Sequence, residues 1–122
     1  SKEIFTWCYY PGEIVMNDIL IKLDKVINER RNENYAKSYS ATLLNKGVEK
    51  CAEKFGEEAV ELIVACLSKD NNSIVHEAAD TIYHLNVLMR SKNISIKEVL
   101  EELAKREGIS GLDEKENRGY KK

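Results

Sequence analysis

The sequence predicts an all-α helical bundle, and three features carry that expectation. The only proline in the 122 residues is Pro11, so no later helix meets a proline break. Apolar residues recur three and four positions apart through most of the chain. Ser, Asp or Asn stands ahead of the apolar runs, where a helix needs an acceptor for its first free N–H groups.

Residues 1–15 differ in character from the rest. Phe5, Trp7, Tyr9 and Tyr10 form a β-prone run, Pro11-Gly12 is a turn signal, and Ile14-Val15 offers a returning strand. Met16 is a candidate native start, so this segment reads either as a vector-derived leader, which is favoured, or as a native arm packed on a partner subunit. The helical domain is read as residues 16–109 and the polar C-terminal tail as 110–122.

Asn17 or Asp18 is expected to cap the first core helix, which carries Ile19, Leu20, Leu23, Val26 and Ile27 and frays in the polar run Asn28 to Asn34. Ser38 caps a short turn bearing Leu43 and Leu44, and Gly47 punctuates before a long helix from Val48 to Leu67. After the turn Lys69-Asp70-Asn71-Asn72, Asn72 or Ser73 is expected to cap a helix that is apolar nearly all round, from Ile74 to Met89. Both long helices are therefore expected to be central. Ser95 and Glu98 make a capping box for a last helix with Val99, Leu100 and Leu103 on one face and Gly108 as C-cap. No internal repeat at solenoid periods is present, and a bundle is the economical packing.

Composition narrows the function classes. Nineteen basic and twenty-one acidic residues give a net charge of -2, which argues against binding nucleic acid or anionic membranes by bulk charge. Cys8, Cys51 and Cys66 are odd in number and widely spaced, and with His76 and His84 they lack the paired spacings of a zinc site. Reduced thiols are the simpler reading, with Cys51 and Cys66 as small core residues. No apolar run approaches a membrane span, and the expectation is a soluble cytoplasmic protein.

Chemistry concentrates in two stretches, E-E-x-x-E at Glu57, Glu58 and Glu61 and E-x-x-D at Glu77 and Asp80. Glu61 is the only charged side chain between Ala59 and Leu67, so it is expected to be largely buried and to need a cation or a hydrogen-bond donor opposite. On antiparallel neighbouring helices the two stretches make facing rows of oxygen donors, which select hard cations such as magnesium or manganese. The bland alternative is a solvated charged face: Glu49, Glu53, Glu57 and Glu61 recur every fourth residue, and Lys50 and Lys54 can pair with Glu53, Glu57 and Glu58. That alternative is preferred for positions 49 to 54 and fails at Glu61, Glu77 and Asp80, which have no nearby cation in sequence. Lys46, Lys50 and Lys54 trace one face toward the acids, where a polyphosphate could lie, or are ordinary surface lysines. His84, one turn beyond Asp80, orients a ligand or phosphate or is a hydrogen-bonded bundle residue; His76, beside a cap, is expected to be exposed.

Several separated strings resemble one family. They are S-Y-S-A-T-L-L-N-K-G (Ser38 to Gly47), K-F-G-E-E-A-V-E (Lys54 to Glu61), E-A-A-D-T-I-Y-H-L (Glu77 to Leu85) and S-G-L-D-E-K-E-N-R (Ser110 to Arg118). Together, and in this order from about Asn17 to Arg118, they resemble the phosphoribosyl-ATP pyrophosphohydrolases of histidine biosynthesis. The resemblance implies the all-α nucleotide pyrophosphohydrolase fold shared with MazG-like enzymes, a homodimer, a magnesium requirement, and hydrolysis of 1-(5-phosphoribosyl)-ATP to 1-(5-phosphoribosyl)-AMP and pyrophosphate. It implies a monofunctional chain with Glu57, Glu58, Glu61, Glu77 and Asp80 as metal ligands, and Glu58 or another unliganded acid activating water. Lys46, Lys50 and Lys54 would hold phosphates, His84 would contact substrate, and Ser110, Lys115 and Arg118 would close over the site. The rival readings are a general (d)NTP pyrophosphohydrolase and a non-catalytic helical metal-binding dimer.

Overall fold

The computed structural model describes residues 12–33, 38–68 and 70–107, with side chains from residue 19 onward. These residues form five α-helices and no strand. Helix α1 is Gly12–Glu29, continued by a 3-10 turn at Arg30–Asn32; α2 is Tyr39–Lys46, α3 Val48–Ser68, α4 Asn71–Ser91 and α5 Ile96–Lys105.

Local chemistry sets the helix ends. Ser38 caps α2 as expected, its Oγ accepting the Ala41 N–H at 3.2 Å. Gly47 joins α2 to α3 at φ 99° and ψ 175°, a region open to glycine because it has no Cβ. Ser95 and Glu98 form the reciprocal capping box, with bonds of 3.3 and 3.0 Å.

Three ends fall elsewhere than expected. Helix α1 already contains Gly12, Ile14 and Val15, so no strand returns there, and Asn17 and Asp18 fall inside the helix and do not cap it. The cap of α4 is Asp70, which accepts the Ser73 N–H at 2.9 Å, in place of Asn72 or Ser73. A carboxylate caps as well as an amide and also complements the helix dipole. Helix α5 closes at Arg106 rather than Gly108, because the Arg106 and Glu107 N–H groups bond back to Leu103 and Ala104 at 3.0 and 3.1 Å.

Helix α4 is the central element and packs on α1, α2, α3 and α5. The core joins Ile27, Leu43, Cys51 and Val87 from four helices, with Leu23, Leu44, Tyr83 and Leu88 packed against it. The Cys51 thiol donates to the Leu43 carbonyl at 3.3 Å, and burial pushes its pKa up. It is the small core residue expected, whereas Cys66 is exposed. Asp24 fastens three helices: its carboxylate accepts Arg90 Nη2 at 2.7 Å and Nε at 3.2 Å from α4, and the Ile96 N–H at 3.1 Å from α5.

Helix α3 is less enclosed than its sequence suggests. It packs along α4 and, through Cys51, against the core, yet Val60 (57%), Ile63 (58%), Val64 (50%) and Leu67 (82%) remain exposed. One neighbouring helix covers one stripe, here Ala65, and the outer apolar face of α3 is left open.

Candidate active site

The antiparallel pairing of α3 and α4 brings the two acidic stretches level with each other. Thr81 Oγ1 marks that level, donating to the Glu77 carbonyl at 2.8 Å within α4 and to the Glu58 carbonyl on α3 at 3.2 Å. There Glu58, Glu77 and Asp80 each present a carboxylate oxygen, all within 4.8 Å of one another. All three side chains are half-buried.

Electrostatics at this point are unfavourable without a counterion. Burial, then the charges of Glu61 and Asp80, raise the Glu58 carboxyl above its ordinary range; Lys54 opposes this and Glu77 adds to it. Glu77 Oε1 is buried with no hydrogen-bond partner. Crowded acids and an unanswered buried oxygen fit a hard divalent cation, because such an ion satisfies several carboxylates at once.

The remaining acids stand outside this trio. Glu57 is exposed and accepts Lys54 Nζ at 3.1 Å, which holds its carboxyl below the usual range. Glu61 lies near enough to Glu58 to raise its proton affinity and lines a groove of about 490 Å³ between α3 and α4 with Glu77, His76, Val60, Val64 and Ala65. Glu61 is nevertheless exposed, contrary to the burial expected from its apolar neighbours. Those neighbours are themselves uncovered, so within one chain they give no dry surroundings to its charge.

The basic residues divide similarly. Lys50 pairs with Glu53 at 3.5 Å and Lys54 with Glu57 at 3.1 Å, exposed enough for solvent to screen most of the attraction. The charged side chains of residues 49 to 54 thus lie on a solvated face, with Cys51 between them turned into the core, and Lys46 is exposed in the last turn of α2, on a different helix from Lys50 and Lys54. Lys54 alone sits beside the trio; the Glu57 hydrogen bond, then the Tyr39 phenol, make its proton harder to remove.

His84 is buried, with Nδ1 sealed away from any partner. Its ring meets Tyr39 edge-on at 5.8 Å and Tyr83 at 5.0 Å, and burial followed by the Lys54 charge lowers its pKa. His76 is exposed as expected, but its Nε2 lies 3.4 Å from Asp80 Oδ2. Sequence reasoning missed that contact although the i,i+4 spacing announced it. It also missed Tyr39 and Thr81, whose roles arise from packing between helices far apart in sequence.

Comparison with known proteins decides the family. The model of the phosphoribosyl-ATP pyrophosphohydrolase family matches residues 20–107. The phosphoribosyl-ATP pyrophosphatase of Dinoroseobacter shibae is 47% identical over 100 residues, covering 82% of this chain and 98% of that protein. The enzymes of the same name from Rhodobacter capsulatus and Erythrobacter litoralis are 47% and 48% identical over 100 residues, again 82% of this chain and 97% and 96% of theirs. This chain belongs to the phosphoribosyl-ATP pyrophosphohydrolase family.

The resemblance read from the motifs is therefore borne out, as is the helical architecture. The segment matching the phosphoribosyl-ATP pyrophosphohydrolase family contains all of the acids and bases above, whereas Ser110, Lys115 and Arg118 lie outside both it and the described residues. No described helix is long and apolar enough to cross a membrane.

Proposed function

We propose that this chain hydrolyses 1-(5-phosphoribosyl)-ATP to 1-(5-phosphoribosyl)-AMP and pyrophosphate, the second step of histidine biosynthesis, in the cytoplasm and with magnesium or manganese at the acid cluster. One observation carries the reading: in a member of this family, carboxylates from two helices converge within 4.8 Å with one oxygen unanswered.

Glu58, Glu77 and Asp80 would hold the ion, with Glu61 turning in from the groove to complete the donor set and Glu57 joining when released from Lys54. The bound ion would neutralise charge on the phosphate oxygens. Whichever of Glu58 and Glu61 the ion leaves unliganded would orient and deprotonate the attacking water; both lie on α3, close enough for the charge of one to raise the proton affinity of the other. Lys54, with Lys50 one turn before it on α3 and Lys46 at the end of α2, stabilises the substrate phosphates and the leaving pyrophosphate. His84 contributes from behind, through the rings that lie against it.

The same reading includes a homodimer. Val60, Ile63, Val64 and Leu67 on α3, with Val75 and Ile82 on α4, are all exposed in the single chain. Fully covering side chains of this size is worth about 1.5–3 kcal/mol each, and a second copy offers matching apolar cover. That cover would also give Glu61 the dry setting its sequence implies.

Incubating the purified chain with phosphoribosyl-ATP, ATP and dNTPs in magnesium, and measuring pyrophosphate released from each, tests the assignment. Preferential release from phosphoribosyl-ATP supports it. Equal or greater release from dNTPs favours a general pyrophosphohydrolase, and metal binding with no turnover of any nucleotide favours a non-catalytic dimer.

A further inference from the structure

Tyr39 opens α2 beside the acid site, yet neither the ligand set nor the phosphate-binding lysines account for it. Its ring is 51% exposed, but its position is fixed on several sides. One face stacks on Tyr83, with centroids 6.2 Å apart and planes 19° from parallel, and its border meets the buried His84 ring at 5.8 Å and 86°. Tyr83 is itself held by a 2.5 Å hydrogen bond between its hydroxyl and Ser40 Oγ. The Ser38 cap sets the start of the helix on which Tyr39 and Ser40 ride.

This arrangement leaves about half of Tyr39 exposed while its ring is held against Tyr83 and His84. Holding Tyr39 between Tyr83 and His84 removes rotamer freedom before any ligand arrives, so a stacking partner loses less entropy on binding. The ring belongs to the same neighbourhood as the acids: it meets His84, which is one turn along α4 from Asp80. A nucleotide whose phosphates lie over the acids and Lys54 therefore has an aromatic surface within the same site.

We propose that the open face of Tyr39 is the platform on which the purine ring of the substrate stacks, making it a specificity-determining residue for a nucleotide over a bare polyphosphate. The inference rests on the pyrophosphohydrolase reading above. Tyr83 and His84 act as positioning residues, since they hold the platform and are less exposed than Tyr39, His84 being buried.

The test compares the wild-type chain with Tyr39→Leu and Tyr39→Phe in magnesium. It reads kcat/KM for phosphoribosyl-ATP and the inhibition constant of inorganic tripolyphosphate, which has phosphates but no ring. A thermal melt of each variant checks the fold. Base–aromatic stacking is worth about 1–3 kcal/mol, so Tyr39→Leu should lower kcat/KM roughly 5- to 150-fold and leave tripolyphosphate inhibition within about twofold. Tyr39→Phe, which keeps the ring face, should resemble wild type in both.

A Phe variant as impaired as Leu would overturn the proposal in favour of the phenol hydroxyl. Equal loss of tripolyphosphate inhibition in the Leu variant would overturn it in favour of a phosphate contact. Unchanged kcat/KM in the Leu variant would sink the proposal alone, whereas a wild-type chain that does not turn over phosphoribosyl-ATP sinks the pyrophosphohydrolase reading with it.

Discussion

Thr81 on α4 reaches the Glu58 carbonyl on α3 at 3.2 Å while also bonding the Glu77 carbonyl of its own helix at 2.8 Å. One hydroxyl proton is shared between the backbones of two of the three converging acids. Thr81→Val keeps the shape and removes the proton. Metal affinity should fall about 10- to 100-fold, the usual effect of losing a partner that orients ligands, while stability falls by only about 1 kcal/mol. Manganese titration followed by electron paramagnetic resonance, alongside a melt of the metal-free chain, separates the two, and Thr81→Ser should restore both.

Glu61 stands beside the trio without belonging to it. Glu61→Gln removes the charge and leaves the groove its shape, so turnover of phosphoribosyl-ATP should drop by about 100-fold or more. Circular dichroism should remain that of the parent. Turnover near the parent value would remove Glu61 from the reaction.

The His84 pKa is lowered by burial and by Lys54, with Asp80 and Glu57 pulling partly the other way. Its folded value therefore lies below the unfolded one, near 6.5. The resulting stability is present above the unfolded pKa and is lost as pH falls through the folded pKa. Ring NMR resonances of His84 should give a midpoint below that of an unstructured histidine, about 6.5. Lys54→Met should move the His84 midpoint upward; an unmoved or lower midpoint would contradict the assigned role of Lys54.

The open face of α3 predicts a pairing that can be broken by charge. Ile63→Glu or Leu67→Glu places a carboxylate in the exposed apolar stripe. Sedimentation should give the proposed dimer for the parent and a monomer for either variant, with helical content retained. A dimer that survives both changes would place the subunit contact on another surface.

Asp24 is buried, and its oxygens serve Arg90 and the start of α5 together. Asp24→Ala leaves the Arg90 guanidinium buried without a counter-charge. Removing one partner of such a pair costs about 3–5 kcal/mol. Chemical denaturation should show a loss of that size, well beyond that of Glu102→Ala at the exposed pair with Arg106.

Much of this was legible because helices announce themselves locally. Ser38, Gly47 and the Ser95–Glu98 box are signals confined to a few neighbouring residues, and each does what its chemistry suggests. That the two acidic stretches face each other was legible for the same reason, since acids three or four apart share a helix face and a short turn makes the helices neighbours; which acids meet was not, because Glu58 joins Glu77 and Asp80 while Glu57 and Glu61 stand outside. The Asp24–Arg90 pair and the Tyr39–Tyr83–His84 cluster depend on how elements dozens of residues apart come to rest, and no spacing encodes that. Glu61 was misplaced for another reason: an apolar run says that burial is needed, not whether the same chain supplies it.

Gly47 carries an implication for how this sequence can drift. A Cβ at that position would meet no atom within 4 Å, so crowding does not forbid substitution; the backbone angle does. A side chain there would strain the corner that joins α2, which carries Tyr39, to α3, which carries Lys54. The spatial relation between an aromatic wall and an acidic floor is thus guarded by a residue that touches neither.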